Sequence, residues 1–234
     1  MYKRVMLKIS GEQLAGKHDV GIDTELAHYL AKEIKEATKG GAEMVIVVGG
    51  GNMVRGAEVA GNGIHRVTAD QMGMLSGLMN AMALTDIFES EGLPTRCVSN
   101  VFAEQVVESY SYRLAEKHLA KKRVLVVAGG SGRPYVTHDT AAVMIALELD
   151  CEVVMKSTKV DGVYDKDPNQ YKDAVLLTAI TFQQAVEDQN IKVMDKAALG
   201  LAMEQNKPLQ IFSVIEPGNI ARAVAGESIG TRVS

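Results

Sequence analysis

Met44-Val45-Ile46-Val47-Val48-Gly49-Gly50-Gly51-Asn52 is an unbroken apolar run that stops at three glycines. β-Branched side chains suit a pleated strand, and a run without polar alternation fits a strand covered on both faces. The glycines leave bare backbone N–H groups at the strand's carboxyl end. Outward from this segment the same grammar recurs. Val5–Ile9 ends in Ser10-Gly11, Val124–Ala128 in Gly129-Gly130-Ser131-Gly132, and Val153–Met155 in Lys156-Ser157-Thr158-Lys159. Arg96–Val98 and Leu209–Phe212 are two further apolar runs. Helical periods lie between them. Ile22, Leu26, Tyr29, Leu30, Ile34 and Ala37 share one face, with Asp23 as N-cap. Thr68-Ala69-Asp70-Gln71 has capping-box spacing and predicts a long helix from there to about Glu91. Ser111–Lys121, Asp139–Leu149 and Asp195–Gln205 complete the set. Doubly covered strands alternating with helices predict a three-layer α/β/α sandwich around a mostly parallel sheet. No linker or repeat interrupts residues 1–234, which read as a single domain.

Composition removes other classes. Lys plus Arg number 25 and Asp plus Glu 29, a formal charge of −4 that argues against nucleic acid as partner. No apolar run approaches the roughly 18 residues of a membrane span. Met1-Tyr2-Lys3-Arg4-Val5 runs into a strand pattern without a signal h-region, which predicts a cytoplasmic chain. Cys97 and Cys151 stand apart and outside any CxxC, as two buried thiols would. The five histidines show no i,i+4 pair, so no metal site built from protein side chains is expected.

Ligands of open α/β sheets bind beyond the carboxyl ends of the strands. Here four such ends carry glycines beside Lys or Arg, the combination that phosphate binding requires. A substrate with several phosphates follows. Gly11-Glu12-Gln13-Leu14-Ala15-Gly16-Lys17-His18 nearly matches the P-loop, but His18 stands where a magnesium-binding hydroxyl belongs. Gly49-Gly50-Gly51-Asn52-Met53-Val54 lacks the third glycine of the dinucleotide fingerprint.

The motifs as a set resemble the bacterial uridylate (UMP) kinases of the amino-acid kinase superfamily, nearly end to end. They are Lys8-Ile9-Ser10-Gly11-Glu12, Gly49 to Gly56, Asp70-Gln71-Met72-Gly73-Met74, Asn80, Asp139-Thr140-Ala141-Ala142, Lys156 to Tyr164, Asp167-Pro168, Lys192-Val193-Met194-Asp195 and Gly226 to Thr231. The resemblance implies in-line phosphoryl transfer from Mg²⁺–ATP to UMP, giving ADP and UDP. The acceptor is already a phosphate dianion, its second pKa being about 6, so no general base is needed. The site must instead hold two repelling polyphosphates in line. The resemblance gives Lys8 and Lys156 as clamps on the γ-phosphoryl, with Asp139 as their organiser and the backbone of Gly129 and Gly130 nearby. It places ATP on Lys8, Ile9, Ser10, Gly11, Gly51, Arg55, Thr158, Tyr164 and Asp167. It places UMP on Gly50 and Asp70 and along Ser131, Gly132, Arg133, Pro134, Tyr135, Val136, Thr137 and His138.

Where the family loop reads Gly-Thr-Gly-Asn-Pro-Phe-Phe-Thr-Thr-Asp, this chain has Arg133 for Asn and His138 for Thr. Base specificity and rate are the properties these departures touch. Gly16, Lys17, His18, Asp19, Val20 and Gly21 correspond to a loop linked to GTP activation in similar enzymes; UTP is the expected inhibitor. Met72, Leu75, Met79 and Met82 form a stripe at helical spacing, assigned to core or subunit packing, and similar kinases are homohexamers. Two alternatives stay open. A relative phosphorylating a carboxylate, carbamate or small phosphate shares the first glycine loops, but has no reason to carry Asp70 with residues 131–138. A non-catalytic nucleotide-binding or storage protein predicts loss of Lys8, Lys156 and Asp139.

Overall fold

A computed structural model of the chain describes residues 1–61, 63–188, 191 and 193–234. In chain order the elements are β1 (Arg4–Ile9), α1 (Gly11–Leu14), α2 (Thr24–Thr38), β2 (Glu43–Val48), α3 (Gly56–Val59), α4 (Arg66–Ser90) and β3 (Thr95–Ser99). Then come β4 (Glu108–Ser109), α5 (Tyr112–Ala120), β5 (Val124–Ala128), α6 (His138–Glu148), β6 (Val153–Thr158), β7 (Val163–Tyr164) and β8 (Leu176–Leu177). β9 (Ala179–Ile180), α7 (Phe182–Glu187), α8 (Lys196–Glu204), β10 (Leu209–Ser213), α9 (Asn219–Ala225) and β11 (Thr231–Val233) close the sequence.

Among the described residues, nine strands form one sheet in the order β4-β3-β5-β2-β1-β6-β10-β11-β9. Its pairs are parallel except β10 with β11. Side-chain alternation along the central strands separates two apolar layers. Val5, Leu7 and Ile9 of β1, with Met44, Ile46 and Val48 of β2, meet α2, α4 and α9. Met6, Val45, Val47 and Val154 meet α5, α6, α7 and α8 on the opposite face. The fold is therefore a mostly parallel sheet flanked by helices, as expected. α2 shows how the layers are held. Asp23 accepts N–H bonds from Glu25 and Leu26 at 3.0 and 3.2 Å, and Ala27, Leu30, Ala31 and Ile34 are buried along one face. Such a cap contributes about 1 kcal/mol.

The expected start of the long helix is wrong by three residues, with the N-cap at His65 rather than Thr68. α4 opens at Arg66 with His65 as N-cap, its Nδ1 accepting from the Val67 N–H at 3.3 Å. Thr68 sits within the first turn; a ring nitrogen does the work that the Thr-x-x-Gln pattern assigned to a hydroxyl. α7, α9, the edge strands β4 and β9, and β11 between β10 and β9 went unpredicted, because two to seven residues carry too little periodicity. No described helix is long and apolar enough to cross a membrane.

Candidate active site

The site begins with strand register. Lys8 of β1 and Lys156 of β6 are direct partners across a parallel pair, so their backbones lie about 4.8 Å apart. Lys8 shares the parity of Met6, and Lys156 that of Val154, which aims both side chains at the α6 layer. Two ammonium groups so placed repel, and both are largely buried. Asp139, in the first turn of α6, answers both: the Lys8 Nζ lies 2.6 Å from Oδ1, and the Lys156 Nζ donates to Oδ2 at 2.7 Å. Burial alone would raise the Asp139 pKa, but Lys8 and Lys156 outweigh it and hold the carboxyl below its ordinary range. Burial pulls the Lys156 ammonium below the ordinary lysine range; Asp139 opposes this and Lys8 reinforces it. A second acceptor for Lys156 is the Val193 carbonyl, at 2.7 Å. Two cations and one anion leave a single positive charge in a low-dielectric recess, beside the positive end of the α6 dipole.

Around this set the glycine loops are fixed by contact. A Cβ on Gly50 would fall 2.5 Å from the Gly73 carbonyl oxygen and 2.6 Å from the Gly77 nitrogen, so only glycine lets the β2 loop lie on α4. Asn52 and Asn80 exchange amide hydrogen bonds at 3.0 and 2.7 Å, and Asn80 also donates to the Gly49 carbonyl at 2.7 Å. The His138 ring fills the space beside Gly77 and Gly130 that side chains there would need. Burial, reinforced by the Lys8 charge, pushes its pKa down to about 4, so it is neutral at pH 7. Its Nε2 is buried without a hydrogen-bond partner.

Two cavities lie beside the Lys–Asp–Lys set: Lys156 lines the first and His138, the neighbour of Asp139, lines the second, while Lys8 and Asp139 line neither. The larger, about 640 Å³, is lined by Ser10, Lys156, Thr158, Tyr164 and Asp167, with Gln13 in its wall. That volume lies in the range of small-molecule sites. The second, about 230 Å³, is lined by Gly50, Asp70, Val136, Thr137 and His138, together with Gly51, Val54 and Arg66. The expected ATP set therefore divides. Ser10, Thr158, Tyr164 and Asp167 converge, whereas Arg55 faces a third cavity of about 410 Å³ and is tied to Glu12 and Glu58 at 2.8 and 2.9 Å. Gly51 borders the second and third cavities. Ile9 turns its side chain into the core, and Gly11 is wedged against Gly49 and Gly51.

The acceptor-side residues divide too. Ser131, Gly132, Arg133, Pro134 and Tyr135 form the loop above the smaller cavity without lining it. Ser131 Oγ accepts from the Arg133 N–H at 3.2 Å, and Tyr135 takes a left-handed φ of 65°. Asp70 accepts from Arg66 Nε and from the Tyr135 N–H, each at 2.8 Å, which hold its carboxyl below the ordinary range against the opposing effect of burial. Of residues 16–21, His18, Asp19 and Val20 line the third cavity with Gly16, while Lys17 pairs with Glu25 at 2.7 Å. Gly21 is bound through Asn52, which donates to its carbonyl at 2.6 Å. Lys192 lies outside the described residues. Gln13, Arg66, Asn52, Val193 and Asp195 are site neighbours that residue type alone did not single out. For the last two the Lys-Val-Met-Asp motif was the available signal.

A parallel sheet with paired lysines and an aspartate at its carboxyl edge, beside two cavities, defines a phosphate-handling α/β protein. Residues 3–213 match the amino acid kinase family, and the chain belongs to that family. Among solved structures, UMP kinase from Bacillus anthracis is 34% identical, with a TM-score of 0.94, over 100% of this chain and 96% of that one. UMP kinase from Ureaplasma parvum is 32% identical, TM-score 0.92, over 100% and 99%. Aspartate kinase from Synechocystis matches at 21% identity and a TM-score of 0.73, covering 98% of this chain and 39% of its own, a likeness of fold alone.

Proposed function

We propose that the chain transfers the γ-phosphoryl group of Mg²⁺–ATP to UMP in one in-line step, giving ADP and UDP. The observation that carries this reading is the Lys8–Asp139–Lys156 set beside two cavities, in a chain that two UMP kinases match over its full length. ATP occupies the larger cavity, with its phosphates toward Ser10 and Lys156 and its base toward Tyr164. UMP enters the smaller one, its ribose near Asp70 and its phosphate near Gly50 and His138. The metal arrives as part of the substrate. In the transition state the charge on the transferring group grows between Lys8 and Lys156, and Asp139 keeps the two ammonium groups apart and aimed. With the nucleophile already anionic, positioning and charge supply the catalysis.

The family reading extends to a cytoplasmic homohexamer that feeds pyrimidine nucleotide synthesis, activated by GTP at residues 16–21 and inhibited by UTP. Leu75 and Met79, 49% and 56% exposed on α4, are the apolar surface that subunit packing would cover. The test is ADP release from Mg²⁺–ATP with UMP, CMP, dUMP or no acceptor. Turnover that depends on UMP supports the reading and shows that Arg133 and His138 are tolerated. No turnover with any acceptor, while ATP still binds, rejects it in favour of a binding or storage protein.

A further inference from the structure

Val193 and Asp195 reach the transfer site from outside both cavities' expected residue sets. The Val193 carbonyl accepts from Lys156 at 2.7 Å. Two residues on, the Asp195 carboxylate works in two directions. As N-cap of α8, its Oδ1 accepts from the N–H groups of Ala197 and Ala198 at 2.9 and 3.0 Å. Across the gap to α6, it accepts from the hydroxyls of Thr140, at 3.0 Å, and Thr137. Thr137 is itself the N-cap of α6: its Oγ1 accepts from the N–H of Asp139 at 3.1 Å and of Thr140 at 3.2 Å.

A hydroxyl has one proton and two lone pairs. Because Asp195 takes the Thr137 proton, both lone pairs turn toward the start of α6, where they fix the Asp139 backbone. The carboxylate of Asp139 then fixes the two ammonium groups. We propose that Asp195 is a positioning residue of the phosphoryl-transfer site, acting through the Thr137 hydroxyl on Asp139, with the Val193 carbonyl holding Lys156 from the same segment. Its kinetic consequence rests on the kinase reading above; its structural consequence does not.

Asp195→Asn separates this role from helix capping. The Asn carbonyl oxygen still caps α8, but the amide in place of Oδ2 donates to Thr137, so the hydroxyl must spend a lone pair on it and release an N–H of α6. Misplacement of a reacting group on the scale of an ångström costs rate on the order of 10²-fold. D195N is expected to lower kcat between about tenfold and a hundredfold while KM for ATP stays within about twofold. Combined with Thr137→Val, it should cost nothing beyond the loss in T137V alone, since both act through one hydroxyl. Amide hydrogen exchange should quicken at Asp139 and Thr140 in D195N and stay unchanged at Ala197 and Ala198. Unchanged exchange at Asp139, or losses that multiply in the double variant, would overturn the proposal. Should the wild-type chain fail to phosphorylate UMP, the kinase reading falls and the exchange experiment alone still decides this one.

Discussion

Lysine side chains at paired positions of adjacent strands are unfavourable in a sheet interior, since each lacks a counter-charge and both lose water. Asp139 compensates in the free protein, and a bound polyphosphate would compensate further. His138, next in sequence, carries a different electrostatic cost. Its pKa is about 4 in the folded chain and about 6.5 when unfolded. The unfolded state therefore takes up a proton as pH falls from 6.5 towards 4 while the folded state does not, and stability falls across that window. Between pH 7 and pH 5 the loss is about 2 kcal/mol. Urea unfolding at the two pH values should show His138→Thr losing less stability than the wild type by about that amount; equal losses would mean the ring is solvated and titrates normally. At this scale Lys8, Lys156 and Asp139 were legible, because a cation in an apolar strand end is conspicuous. The partners of Asp195, Asn52 and Arg66 were not. Thr137 lies 58 positions before Asp195, and only the folded chain brings them together.

Elements with a strong period or an uninterrupted apolar run were readable, and α2, α5 and α6 begin within a residue or two of their caps. Short elements were not, since α9 and β11 depend on tertiary contact rather than on pattern. Glycine needs the same distinction between local and tertiary causes. Gly50 is required by the approach of the β2 loop to α4, whereas Gly200, mid-way along α8, would place a Cβ with nothing within 4 Å. Gly50→Ala should therefore cost about 1–3 kcal/mol through overpacking. Gly200→Ala should instead stabilise by about 0.5–1 kcal/mol, through helix propensity and a less flexible unfolded chain. Denaturant unfolding of the pair, with the sign reversed between them, checks whether the loop–helix contact is as close as described.

For the molecule as a whole, the parallel sheet brings the carboxyl ends of β1, β2, β5 and β6 to one edge, and segments from both halves of the chain meet there. That convergence was legible as a repeated strand–glycine pattern. The division of the edge into two cavities was not, because it depends on how residues 131–137 fold back over α4 through the Tyr135–Asp70 bond. The central claim is that this edge passes a phosphoryl group directly from ATP to UMP between two lysines. The most direct measurement is a ³¹P NMR time course of Mg²⁺–ATP and UMP with the wild-type chain and with Lys8→Ala. The account predicts ADP and UDP in equal amounts from the wild type, a kcat about 10²–10³-fold lower in K8A, and a KM for UMP far less affected. Orthophosphate in place of UDP, or equal losses in kcat and UMP affinity in K8A, would contradict it.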